Sequence, residues 1–169
     1  QPYDFFVVDP YGVKRTSPWM KGDFTADGRL LMMGDTVHMW NELPKSASTR
    51  PDLSNLGQGL AGGYDFKSGD FSSLTVVGER VYVTTNGSTL VVYDSIPTSA
   101  TQKPDFLIGA SNIFADGNME SFIILNPVPT SNGTNLFVTS DYDTSLFVWR
   151  NLPDESGAAP DVIYLLCGY

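Results

Sequence analysis

Apolar residues come in short runs along this chain, and none of the runs keeps the rhythm of an amphipathic helix. "RLLMMG", "TVHMW", "SLTVVG", "RVYVTT", "TLVVYD", "SFIIL", "NLFVTS", "SLFVW" and "VIYLL" are rich in Val, Leu, Ile, Phe, Tyr and Thr. Clusters of Gly, Asn, Asp, Pro and Ser separate them. β-Branched and aromatic side chains suit a pleated surface, and the intervening residues suit reversals of the chain. The pattern predicts an all-β protein built from short strands at close spacing.

The runs are organised by a repeat. "MWNELPKSASTRPDL" (Met39 to Leu53), "VYDSIPTSATQKPDF" (Val92 to Phe106) and "VWRNLPDESGAAPDV" (Val148 to Val162) share one plan. Trp40, Tyr93 and Trp149 are equivalent and recur at intervals of 53 and 56 residues. Pro44, Pro97 and Pro153 keep the same intervals, as do the Pro-Asp pairs at Asp52, Asp105 and Asp161. A glycine then closes each unit, at Gly57, Gly109 and Gly168. The units are 1–57, 58–109 and 110–169, in one continuous domain.

Four strands fit into the middle unit: "SLTVVG", "RVYVTT", "STLVVYD" and "PDFLIG". The Asn86-Gly87 pair between the second and third is a strong hairpin signal, because a type I′ turn needs positive φ at both central residues. Tandem units of about 50 residues with four antiparallel strands are expected to be β-propeller blades. A β-sandwich would have no reason to repeat one loop three times. Proline cannot donate a ladder hydrogen bond, so the two prolines should bracket the loop from the third strand to the fourth, edge strand. The Asp after the second proline can accept from nearby backbone amides. Trp40, Tyr93 and Trp149 are expected to fill the layers between blades.

These units resemble those of the NHL-type six-bladed propeller proteins, whose blades carry a comparable "VWNxLPTSxxxxPDxVLGQPDF" pattern. "MWNELPKSASTRPDLSNLGQ", "VYDSIPTSATQKPDFLIGAS" and "VWRNLPDESGAAPDVIYLLCG" carry the likeness, and between them the units cover nearly the whole chain. "QPYDFF" at Gln1 is similar to the segment that follows the closing glycine in such units. The resemblance implies half of a six-bladed propeller. Four to eight blades make a closed ring, so three leave ends to be covered. The expected partners are further blades of a longer chain, a second copy, or an open array.

Composition narrows the function. Ten basic against nineteen acidic residues give a net charge of −9. That argues against a phosphate-backbone partner and disfavours anionic membrane surfaces. No apolar run reaches the roughly 20 residues that a membrane-spanning helix needs. One cysteine, Cys167, excludes an internal disulfide framework, and its apolar neighbours make it a buried hydrophobe.

Candidate chemistry gathers on the loops that join second to third strands and one unit to the next. Asp35, Asn86, Asp141 and Asp143 come from hairpin turns, with Asp116, Asn118 and Glu120 from "SNIFADGNMES". Such a face is oxygen-rich, as a Ca²⁺ site would be. Asp116, Asn118, Glu120, Asp141 and Asp143 are the candidate ligands, weighed against service as ordinary turn residues. His38 is the sole histidine, sits in a strand, and reads as structural. No G-x-S-x-G elbow, P-loop or Cys/His zinc spacing occurs. Asn86-Gly-Ser and Asn132-Gly-Thr are candidate glycosylation sites in exposed turns, and with the acidity they point to a secreted or cell-surface protein. The expected function is a non-catalytic module for protein or glycan binding or self-assembly. The alternative is part of a metal-dependent propeller hydrolase, lactonase or lyase.

Overall fold

A computed structural model describes residues 21–33, 37–46, 48–56, 73–84, 89–109, 127–140 and 144–165. Each repeat becomes one four-stranded antiparallel sheet. The first holds β1 (Lys21–Phe24), β2 (Leu30–Met33), β3 (Val37–Trp40) and β4 (Leu53–Leu56). The second holds β5 (Leu74–Val77), β6 (Arg80–Thr84), β7 (Thr89–Tyr93) and β8 (Phe106–Gly109). The third holds β9 (Pro127–Ser131), β10 (Leu136–Ser140), β11 (Ser145–Trp149) and β12 (Val162–Leu165). Every sheet is a meander with its strands side by side in chain order, and no helix occurs among the described residues. β1 lies against β5 and β5 against β9, so the sheets follow one another like blades with their first strands innermost.

Alternation along the strands builds the two cores. In the middle sheet Val83 pairs with Val91 and Val81 with Tyr93, and these side chains face the first sheet. Their neighbours Tyr82, Leu90 and Val92, with Phe106 and Ile108 from β8, face the third sheet. All are buried, which is why "TLVVY" is apolar without a polar alternate. The first core adds Leu31, Met33, Val37, Met39, Leu53 and Leu56, and the second adds Leu136, Val138, Phe147 and Trp149. Burying each such side chain is worth about 1.5–3 kcal/mol, so these layers hold the units together.

The innermost strands follow another logic, and the apolar pattern did not reveal two of them. β1 reads KGDF and β9 reads PVPTS. An innermost strand has a sheet neighbour on one side only, so Pro127 and Pro129 are tolerated there. Its polar groups instead clip adjacent units. Asp23 Oδ2 accepts the Val76 N–H at 2.8 Å and the Thr75 hydroxyl at 3.0 Å. The Thr84 hydroxyl donates to the Pro127 carbonyl at 2.9 Å.

The repeated loop now has a mechanical explanation. The Trp40 indole N–H donates to the Thr49 carbonyl at 3.2 Å, and that of Trp149 to the Ala158 carbonyl at 3.0 Å. The Tyr93 hydroxyl reaches the Gln102 carbonyl at 3.4 Å, again nine residues on. At the far end Asp52, Asp105 and Asp161 accept the N–H of Asn41, Asp94 and Arg150 at 2.8, 2.8 and 2.7 Å. Their own N–H groups donate to the Met39, Val92 and Val148 carbonyls, each at 2.8 Å. Aromatic and carboxylate thus fasten the loop at both ends. Pro44, Pro97 and Pro153 are buried within it.

Candidate functional site

Each sheet has a face turned toward the next sheet in chain order. Register makes the equivalences explicit. Leu31 and Met39 of the first unit match Tyr82 and Val92 of the second, and Phe137 and Val148 of the third. The first two pairs are buried by the following sheet. Phe137 and Val148 are only half-buried, and so are Leu146, Val128 and Val162 around them. Apolar side chains therefore continue onto a face with no described sheet against it.

The edge beside that face is also open. In the middle unit the outer strand β8 is capped from the third unit: the Leu107 N–H donates to Ser156 Oγ at 3.2 Å, and its carbonyl accepts the Gly157 N–H at 2.9 Å. Gly157 has φ +75°, a left-handed turn that glycine adopts at no steric cost. The strand matching β8 in the third unit is β12, where Ile163, Tyr164 and Leu165 are 47, 54 and 70 % exposed. Exposed edges with apolar side chains are pairing surfaces.

Arg80 shows how strongly two units can be tied. Its guanidinium donates to the Pro153 carbonyl of the third unit at 2.6 Å and pairs with Asp94 at 2.7 Å. It also lies over the Phe106 ring at 5.4 Å. Burial works against its charge, but the Tyr82 hydroxyl and the Asp94 carboxylate outweigh that and the net direction is upward. Burial pushes the Tyr82 phenol up as well, against the opposing pull of Arg80.

At the opposite end of the chain the back face of the first sheet is buried, with Leu30, His38 and Trp40 all below 10 % exposed, but its loop residue before the first proline is not. Ile96, just before Pro97, is 6 % exposed and packs in the first core. Leu152, just before Pro153, packs against the second core. Leu43 holds the same place before Pro44 and is 60 % exposed. Beside it the loop encloses an open cleft of about 300 Å³ lined by Trp40, Leu43, Thr49, Arg50 and Asp52 among others. Trp40 is buried and its N–H is already bonded to Thr49, so the cleft offers no free aromatic ring on which a sugar could stack.

Other candidates fall differently. Asp35, Asn86, Asp116, Asn118, Glu120, Asp141, Asp143 and Cys167 lie outside the described residues. Among the described residues no group of three or more His, Cys, Asp or Glu side chains is arranged to hold a metal ion. His38 is buried in β3, its ring 6.2 Å from that of Trp40. Asn132 is exposed in the β9–β10 turn, and its side-chain oxygen accepts the N–H of Thr134 and Asn135 at 3.1 and 2.8 Å. In the β1–β2 turn Asp27 is held down to about 2 by Arg29 and Thr25, with the Arg29 ion pair at 2.8 Å. Leu43, Arg80 and the Phe137–Val148 face were not singled out from the sequence. The repeat could have found them, since Leu43 differs from Ile96 and Leu152 only in lacking a preceding unit among the described residues. No family model matches the chain, and no curated protein or solved structure matches it either.

Proposed function

We propose that this chain is a non-catalytic, propeller-type repeat module of the NHL kind that works by protein association through the open end of its third unit. One observation carries the reading. Face positions that are buried in the first and middle units stay half-exposed in the third, beside an uncapped strand edge. An extracellular or cell-surface setting belongs to the same reading, supported by the exposed Asn132-Gly133-Thr134 sequon. Protein is favoured as the partner, because the uncovered face and edge of the third unit are apolar.

Binding of an apolar fluorescent dye such as anilinonaphthalene sulfonate, at submicromolar protein, tests the surface. The wild-type chain should enhance dye emission, and Phe137→Thr combined with Tyr164→Thr should lower the enhancement severalfold with an unchanged far-ultraviolet spectrum. Equal emission from both proteins, or none from the wild type, would overturn the proposal.

A further inference from the structure

We infer that Asn132 is a site of covalent self-modification, its side-chain amide converting to a carboxylate through attack by the next backbone nitrogen. The reaction needs an uncrowded attacking nitrogen, an electron-poor carbonyl carbon, and outlets for a proton and for ammonia. The turn between β9 and β10 supplies each.

Gly133 follows Asn132, and no atom lies within 4 Å of where a side chain on it would begin. Its φ of +94° is a conformation that glycine adopts at no steric cost. Asn132 Oδ1 accepts the Thr134 N–H at 3.1 Å and the Asn135 N–H at 2.8 Å. These donors draw charge from Cγ and stand where attack turns the oxygen into an oxyanion. They also fold the side chain over the turn, on the side of the Gly133 nitrogen that precedes Thr134 in the chain. The Gly133 N–H donates to Ser131 Oγ at 3.0 Å, and that hydroxyl donates to the Asn135 carbonyl at 2.6 Å. Such a relay polarises the N–H and eases the loss of its proton. Asn132 is exposed, so water reaches the leaving Nδ2.

The atoms balance with water as the co-reactant. The Gly133 nitrogen gives its proton to hydroxide and bonds to Asn132 Cγ, closing a cyclic imide as the Cγ–Nδ2 bond breaks. Nδ2 takes a proton from water and leaves as ammonia, which regenerates the hydroxide. Water then opens the imide at either carbonyl, leaving an aspartyl or isoaspartyl residue and a net gain of about 1 Da. Asn41, Asn135 and Asn151 are poor substitutes, because the side chains of Glu42, Leu136 and Leu152 follow them. Asp27-Gly28 occupies the matching turn of the first unit, but Asp27 is a carboxylate paired with Arg29 and has no ammonia to lose. The atom lost, Nδ2, is also the one that would carry a glycan, so the two modifications of Asn132 exclude each other.

Peptide-resolved mass spectrometry of the whole unglycosylated chain, aged at mildly alkaline pH, tests this. Asn132 should gain about 1 Da, severalfold faster in the folded chain than in the chain unfolded by guanidinium chloride, where the donors are lost. Ser131→Ala should slow the folded reaction severalfold, with an unchanged far-ultraviolet spectrum, and leave the unfolded rate as it was. No gain at Asn132, or a folded rate no greater than the unfolded one, would overturn the site. A folded rate that Ser131→Ala does not change would overturn the relay.

Discussion

Replacing Arg80 with Met tests whether the middle and third units are locked by specific polar contacts as well as by apolar burial. Methionine keeps most of the stem and removes the charge. Lost with it are a charge-assisted hydrogen bond to the Pro153 carbonyl at 2.6 Å, worth about 1.5–3 kcal/mol, and the Asp94 pair, whose partner is half exposed and which is worth about 0.5 kcal/mol. The contact over Phe106 adds about 0.5–1 kcal/mol. Release from desolvating the guanidinium returns part of the sum, so the expected net loss is about 2–3 kcal/mol. For a chain of 169 residues that lowers Tm by about 4–12 °C. Urea unfolding followed by tryptophan fluorescence suits the assay, because Trp149 lies in the same core. Arg29 is the register counterpart of Arg80 in the first unit, but its ion pair stays within its own turn, so Arg29→Met should cost less than about 1 kcal/mol. A loss below about 0.5 kcal/mol for Arg80→Met, or equal losses for the two variants, would refute the reasoning.

Three further outcomes follow from the same contacts. Asp105→Ala removes the acceptor for the Asp94 N–H and should cost about 1 kcal/mol by chemical denaturation, while Asp105→Asn should recover most of it. Arg29 and Thr25 hold Asp27 down to about 2, below the ordinary carboxylate value of 3.8, so its contribution to the β1–β2 turn is present above about pH 4 and lost as pH falls toward 2. A carboxyl NMR titration with a midpoint at or above 3.8 for Asp27 would contradict this. Secretion from a eukaryotic host should add glycan at Asn132, raising the intact mass above 18.4 kDa by an increment that Asn132→Gln abolishes.

The repeat made much of the fold legible, because its markers are the residues that lock each loop. Trp40, Tyr93 and Trp149 at one end, and Asp52, Asp105 and Asp161 at the other, recur since the same bonds must form in each unit. Strands buried on both faces, such as β7, were legible from continuous apolar runs. β1 and β9 were not, since innermost strands use Asp23 and Pro127 to meet a neighbouring unit instead of alternating apolar side chains. The open end was legible only indirectly. Phe137 and Val148 look like core residues in the sequence, and only the sheet order shows that their neighbour is missing from the described residues. The oxygen-rich loops lie outside the described residues, and sequence alone does not separate their two readings, because Asp and Asn serve turns as readily as ligand sites.

The most direct measurement is residue-resolved hydrogen exchange at the Leu107 and Ile163 amides as protein concentration is raised. The two occupy matching places on β8 and β12, and Leu107 is capped by Ser156 and Gly157 within the chain. The Leu107 amide should be protected at every concentration. The Ile163 amide should exchange at least tenfold faster in dilute solution. Protection of Ile163 equal to that of Leu107 at the lowest concentration, with no dependence on concentration, would contradict an open third unit.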